Sequence, residues 1–425
     1  MKAMRDYKGR PLVAVTGVGM VTSLGEGVAD NWAALTAGRS GIHRIGRFPT
    51  EHLRTTVAGT VEFLFSEPVV PPVLTERLAR TAAEEALSMA AIGGAGDFPG
   101  PLFMAVPPVE LEWPVRRSFY KSADPGPGDA YDRMIASVGK LNSDEYESVL
   151  FGSVADRIAD RFGTRGAPIS LTTACASGAT AIQLGIEAIR RGDTAAALVI
   201  GADGSVTAEA LIRFALLSAL SNSTDAPEEV SKPFSKNRDG FVIAEGAGAL
   251  VLEDYDAAVA RGATVLALLA GSGEQADDFH RTRSKPDGSA VIGAIRNAIA
   301  DAGLAPEDID YINAHGTGTP ENDKMEALSL EAVLGEGMKK IPISSNKSMI
   351  GHTLTAAGAV EAVFSIKTIL ESTIPPTINY RVPDPAIELD VVPNQARAAP
   401  VRTVLSNSFG FGGQNVCLVI AAEPA

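Results

Sequence analysis

Residues 168–191, PISLTTACASGATAIQLGIEAIRR, read as a short apolar strand, a turn of small residues and an amphipathic helix from Gly178 to Arg191. The order returns in residues 342–370, PISSNKSMIGHTLTAAGAVEAVFSIKTIL, where Pro342-Ile343-Ser344 precedes Met349 and a helix from Ala357 to Leu370. A second echo pairs the glycine-rich Glu245 to Gly248 and a strand Ala249 to Glu253 with Gly410 to Gly413 and a strand Asn415 to Ile420. Repeated echoes in one order imply a duplicated α/β unit. The halves, residues 1–260 and 261–425, should meet near Asp254 to Thr264, where a helix Tyr255 to Arg261 leads into a strand Val265 to Leu269. A functional site is expected where they meet.

Upstream, Val13 to Thr16 reads as a strand ending in a tight turn at Gly17-Val18-Gly19, with helical spacing over Asp30 to Ala37. A Gly-x-Gly after a strand is a weak dinucleotide signal, and no third glycine or distal acid is convincingly placed to support it.

A chain of 425 residues with 45% hydrophobic content can bury a large core. Its first ten residues are polar and charged, so neither a secretory signal nor a spanning helix is expected, and the cytoplasm is the default compartment. Cys175 and Cys417 are read as thiols, because a reducing cytosol disfavours a disulfide. The net charge of −14 argues against a nucleic-acid partner.

Three segments carry chemistry: Thr173-Ala174-Cys175-Ala176-Ser177-Gly178, Ala314-His315-Gly316-Thr317-Gly318-Thr319-Pro320 and Ser345-Asn346-Lys347-Ser348-Met349-Ile350-Gly351-His352. Cys175 stands just before a helix, where free backbone N–H groups and the helix dipole are expected to favour thiolate and lower its pKa. Cys417 lies in an apolar strand pattern and is assigned to packing.

Together the three segments resemble the active site of the 3-oxoacyl-[acyl-carrier-protein] synthases, the condensing enzymes of fatty-acid and polyketide synthesis. The resemblance runs from about Val13 to Ile420. It implies a thiolase-like α/β fold of duplicated halves in a layered αβαβα arrangement, two five-stranded sheets around buried helices, as a homodimer. It implies ping-pong chemistry, in which Cys175 takes an acyl group and a malonyl unit then loses carbon dioxide and attacks it. His315 and His352, as neutral imidazoles, would donate to the enolate oxygen. Lys347 would tune the site without attacking substrate, and Glu326 would contact that lysine. Thr317 and Thr319 would bind the phosphopantetheine arm. The Phe411 amide would join that of Cys175 as an oxyanion hole, with Phe409, Phe411 and Gly412 in a loop that gates acyl entry. His43, His52 and His280 are read as ordinary, although Asp278-Phe279-His280 could form a loop near the site.

No metal or tightly held cofactor is implied; phosphopantetheine arrives on the partner, an acyl carrier protein. Such carriers are usually acidic, so a local basic patch is expected on this acidic chain, with Arg77, Arg80, Arg116, Arg117 and Lys121 as candidates. Residues 103–167 and Gln414 depart from the family pattern, which leaves chain-length preference open between housekeeping elongation and a specialised long acyl chain. A polyketide ketosynthase and a non-catalytic chain-length partner are the alternatives. The latter characteristically lacks the nucleophile.

Overall fold

A computed structural model describes residues 4–65, 70–93, 96–108, 112–113, 116–117, 121, 128–138, 147 and 150–423. Of the divergent stretch, Val109, Glu110 and Pro114 lie outside them.

The first half contributes β1 (Val13–Thr22), β2 (Leu102–Ala105), β3 (Ile169–Leu171), β4 (Ala196–Asp203) and β5 (Gly246–Asp254). The second contributes β6 (Ala267–Ala276), β7 (Tyr311–Asn313), β8 (Pro342–Ser344), β9 (Thr403–Phe409) and β10 (Gln414–Ala421). Across these ten strands of a twelve-stranded sheet the order is β3-β2-β4-β5-β1-β6-β10-β9-β7-β8; two two-residue strands complete it, Asp390–Val391 beyond β8 and Gly25–Glu26 beside β1. Read outward from the seam, each half places its first, fifth, fourth, second and third strand in turn. The seam is two residue pairs long, Ala14 with Leu268 and Val15 with Ala267.

Alternating side chains serve two cores at once. In β4, Ala197 and Val199 face the central core while Leu198 and Ile200 face an outer one. In β10, Val416, Leu418 and Ile420 face the centre, while Cys417 and Val419 pack into the second half's outer core. Cys417 is thus a packing residue, as its strand pattern suggests.

Helix α1 (Pro71–Ala90) covers the outer face of the first half, and α4 (Ser289–Ala302) and α5 (Pro320–Leu334) cover that of the second. Between the sheets lie α2 (Ser177–Arg191) and α7 (Ala357–Glu371), the two helices of the sequence echo. They cross through glycine. A Cβ on Gly178 would stand 2.6 Å from the Ala359 nitrogen, and one on Gly358 would stand 2.5 Å from that of Ala179. Five layers, αβαβα, result.

Two strand expectations need correction. β1 does not turn at Gly17-Val18-Gly19 but runs on to Thr22 with a bulge between Val15 and Gly17. The glycines serve close approach: a Cβ on Gly17 would lie 2.1 Å from the Ala86 oxygen of α1, and one on Gly19 would lie 2.0 Å from that of Ala82. The strand expected over 265–269 is β6, Ala267–Ala276, because it pairs with β10 along most of that strand's length.

Candidate active site

Cys175 sits in the turn between β3 and α2, 7% exposed. Ala174 before it adopts φ 50°, a left-handed conformation that costs energy for a residue with a Cβ. Ser177 closes the turn: its Oγ accepts from the Thr173 N–H at 2.8 Å and donates to the Ala174 oxygen at 2.6 Å. Phe411 and Cys175 line both of the site's cavities, and the Phe411 amide lowers the thiol's pKa.

The expected low thiol pKa is overturned. Burial pushes Cys175 up to about 11, and the Phe411 amide and the Lys347 charge offset only part of that. The resting nucleophile is a thiol.

His315 lies two residues past β7, and its ring meets that of His352 edge to face, 5.3 Å between centroids. Burial holds both imidazoles well below their usual pKa, with the Lys347 charge acting in the same direction, so both are neutral. The His352 main chain is bound on both sides, donating to the Val242 oxygen at 2.7 Å and accepting from the Ala244 N–H at 2.9 Å. Its Nδ1 accepts from the Leu354 N–H at 3.3 Å, which assigns the ring proton to Nε2. That Nε2 is buried without a hydrogen-bond partner among the described residues.

Lys347 is 1% exposed at the start of the four-residue helix α6 (Lys347–Ile350). Its Nζ donates to the His315 oxygen at 2.7 Å and pairs with Glu361 of α7. Burial raises the Glu361 pKa, opposed by the lysine charge.

The contact expected between Lys347 and Glu326 is therefore corrected. From α5, Glu326 turns to the histidine loop, accepting the N–H groups of His315 at 2.9 Å and Gly316 at 2.8 Å and the Asn407 amide at 3.0 Å. Backbone donors take both its oxygens, leaving Glu361 to meet the ammonium. Glu361 was missed because it falls in a helix read only for its apolar face. Its signal was a carboxylate between Val360 and Ala362, inside an otherwise apolar run.

Thr317 and Thr319 share a 2.9 Å hydroxyl contact, and the Thr319 Oγ1 accepts from the Asn322 N–H to cap α5. Phe409 packs edge-on against His315 at 5.5 Å. Gly412 and Gly413 adopt φ 92° and 95°, and a Cβ on Gly413 would come within 2.1 Å of the Asp277 oxygen. The Gly412 N–H donates to the Arg281 oxygen at 2.8 Å, so the 409–413 loop leans on the 277–285 loop.

Two cavities meet at Cys175, Leu217 and Phe411. One, about 700 Å³, is walled mainly by apolar groups including Val106, Pro107, Ile212 and Leu354, with helix α3 (Ala208–Leu216) along one side. The other, about 560 Å³, carries His315, His352, Thr317, Thr319, Phe409 and Gly412. His280 lines it as well, so the 278–280 loop does reach the site. The named groups thus gather around one thiol, except that Lys347, Glu326 and Glu361 stand behind the histidines and not on the cavity wall. Of the five basic candidates, only Arg116 lines either cavity, and it lines the first. Among the described residues no cluster suited to a metal ion occurs, and no helix is long and apolar enough to cross a membrane.

The family model "Beta-ketoacyl synthase, N-terminal domain" matches residues 11–89 and 140–258, and "Beta-ketoacyl synthase, C-terminal domain" matches 266–381. The chain is 36% identical over 416 residues to 3-oxoacyl-[acyl-carrier-protein] synthase 2 of Coxiella burnetii (strain RSA 493 / Nine Mile phase I), covering 96% of this chain and 98% of that one. It is 34% identical over 417 residues to the protein of that name from Vibrio harveyi, covering 96% and 97%. Among solved structures, one is described as a type II PKS acyl-carrier protein in complex with its ketosynthase bound to the hexaketide. It superposes with a TM-score of 0.85 at 32% identity, covering 97% of this chain and 100% of that one. A beta-ketoacyl synthase from Burkholderia phymatum STM815 gives 0.84 at 33% identity, with the same coverage. The chain belongs to the beta-ketoacyl synthase family, and its fold is thiolase-like.

Proposed function

We propose that this beta-ketoacyl synthase condenses an acyl chain held on Cys175 with malonyl-acyl carrier protein, losing carbon dioxide and giving a 3-oxoacyl carrier two carbons longer. The observation that carries the reading is a single thiol at the junction of an apolar cavity and a cavity bearing two neutral imidazoles.

In the first step the Cys175 sulfur attacks the thioester carbonyl and the pantetheine thiol leaves. The proton lost by Cys175 ends on that departing sulfur, so the transfer is charge-neutral overall. The amides of Cys175 and Phe411 hold the tetrahedral oxyanion, and the acyl chain lies in the apolar cavity. In the second step the malonyl carboxylate leaves as carbon dioxide, and its bonding pair becomes an enolate. Neutral His315 and His352 donate N–H to the enolate oxygen, a role that imidazoles already discharged by burial can fill without losing a proton first. The enolate carbon bonds to the acyl carbonyl, Cys175 departs as thiolate, and a proton from solvent restores the thiol. Lys347, held by Glu361, orients the His315 backbone and keeps the imidazoles neutral, while Glu326 fixes the same loop from the other side.

Residues 1–260 thus bring the nucleophile and residues 261–425 the histidines. Thr317 and Thr319 contact the pantetheine arm, and Phe409, Phe411 and Gly412 gate it. No further cofactor takes part, and the setting is cytoplasmic. A second copy of the chain covers the exposed apolar groups near the edge strand β3, among them Ile169, Leu150 and Phe151, at 45%, 43% and 37% exposure. The likeness to a polyketide ketosynthase favours one second reading, the same chemistry on a polyketide chain. Retention of Cys175 argues against a non-catalytic partner.

The test is intact-protein mass after incubation with acyl carrier proteins bearing chains of graded length. The expected result is one acyl adduct in the wild type, absent in Cys175→Ala, that is discharged as 3-oxoacyl carrier when malonyl carrier is added. No adduct with any chain, or an adduct that persists in the variant, overturns the proposal.

A further inference from the structure

A buried carboxylate beside the site has no part in the chemistry above. Asp203 is the last residue of β4, 1% exposed, and with Thr355 it lines the apolar cavity. A carboxylate is costly to keep there unless its oxygens are bonded. One oxygen accepts the Ser205 N–H at 3.0 Å and the Ser205 hydroxyl at 2.5 Å. The other accepts the Thr355 N–H at 3.2 Å and the Thr355 hydroxyl at 2.8 Å, and that hydroxyl also lies 3.0 Å from the Ala202 oxygen. Asp203 belongs to the first half of the chain, whereas Thr355 lies in the second, in the turn that joins His352 to α7.

That turn needs holding. Leu354 has φ 46°, a left-handed conformation that carries an energetic cost for a residue with a Cβ. Its N–H makes the only hydrogen bond to the His352 ring among the described residues. Otherwise the imidazole meets ring edges and faces, His315 at 5.3 Å and Phe241 at 5.2 Å between centroids. Such packing limits the tilt of the ring but does not choose which nitrogen carries the proton. That choice rests on one strained peptide, and the next residue is tied to Asp203. Glu326 plays the matching part for His315, accepting N–H groups of that histidine's own loop.

We propose that Asp203 is a positioning residue for decarboxylation: by holding Thr355 from the opposite half, it keeps the Leu354 N–H on His352 Nδ1 and the ring proton on Nε2. The inference rests on the functional reading above, which gives that proton to the enolate oxygen. If Thr355 is released, Leu354 is free to leave the left-handed region and the proton is free to move to Nδ1. Nε2 then meets the developing anion as an acceptor, which repels it.

The experiment separates the two half-reactions in the full-length protein. Acylation of Cys175 by an acyl carrier protein is followed by intact mass, and decarboxylation of malonyl carrier by release of carbon dioxide. The His352 ring nitrogens are read by ¹⁵N NMR of histidine-labelled protein, with His352→Gln assigning the signals. Thr355→Val keeps the branched shape and loses the hydroxyl. It should slow decarboxylation about tenfold, the scale of one hydrogen bond to a charged group, with acylation within about twofold of the wild type. The two ring-nitrogen shifts should also draw together. Thr355→Ser, which keeps the hydroxyl, should hold both readings near the wild type. Asp203→Ala, which also frees the Thr355 N–H, should decarboxylate more slowly than Thr355→Val; its acylation should not slow, because the Asp203 charge helps keep Cys175 protonated. Should that variant fail to fold, the threonine pair decides. Unchanged ring-nitrogen shifts in Thr355→Val, decarboxylation at the wild-type rate, equal slowing of the two steps, or a serine variant that behaves like the valine one each overturns the proposal. A wild type that releases no carbon dioxide would instead defeat the condensing-enzyme reading, while the ring-nitrogen shifts would still decide whether Asp203 sets the His352 proton.

Discussion

The halves share one strand order and differ in what their loops carry. Past β3, the first half presents Cys175; past β8, the second presents Lys347 and His352. Past β2, the first half runs into Val106 and Pro107 on the wall of the apolar cavity, whereas past β7 the second presents His315. Between β4 and β5 the first half inserts a long excursion that includes α3. Between β9 and β10 the second half has only the short glycine turn of the gate. Topology decides that these loop ends converge, and composition decides their tasks: one half shapes space for a chain, the other supplies donors and charge.

The largest effect that could contradict this division is His315→Ala. Condensation should fall by about 10²- to 10³-fold, the usual loss for one oxyanion donor, while acyl transfer to Cys175 persists in single-turnover mass measurements. Normal malonyl decarboxylation by this variant would remove the second half's assigned role. Next comes the helix crossing, where the symmetry is sharpest. Gly178→Val and Gly358→Val should each destabilise the fold by about 3 kcal/mol in urea melts, because backbone lies where the side chain would go. A large loss at one site with none at the other would show that the halves do not share the crossing equally. The most local test concerns the nucleophile alone. With its pKa raised to about 11, the thiolate fraction of Cys175 grows with pH, so iodoacetamide alkylation should quicken about tenfold per unit between pH 7 and 10. A plateau near pH 8 would mean that the turn before α2 overcomes burial.

Much of this arrangement was readable in advance. The duplicated strand-turn-helix units could be found because both repeat a Pro-Ile-Ser strand and a small-residue turn, and they became β3–α2 and β8–α7. Local pattern failed where distant partners decide. Gly17 and Gly19 look like turn residues until α1 is laid across them, and the length of β6 is set by β10, which follows it far along the chain. In the site, residue types were legible but energetics were not. A cysteine before a helix suggests a thiolate, yet the pKa follows from how completely the surrounding core excludes water. The partner of Lys347 likewise could not be chosen by spacing, since Glu326 and Glu361 both lie on helices near it, and only the fold shows which carboxylate the histidine loop has already taken.

The long pairing of β1 with β5 has a consequence for synthesis. Every position of β1 is buried, and its register sets Val13 opposite Asp254. On a ribosome adding about 5–20 residues per second, the strand emerges on the order of ten seconds or more before its neighbour exists. Through that interval an apolar ribbon waits without its sheet, and the β1–β6 seam cannot form until still later residues appear. The nascent chain is therefore most prone to aggregation early in translation, when a holdase at the exit tunnel would protect it best.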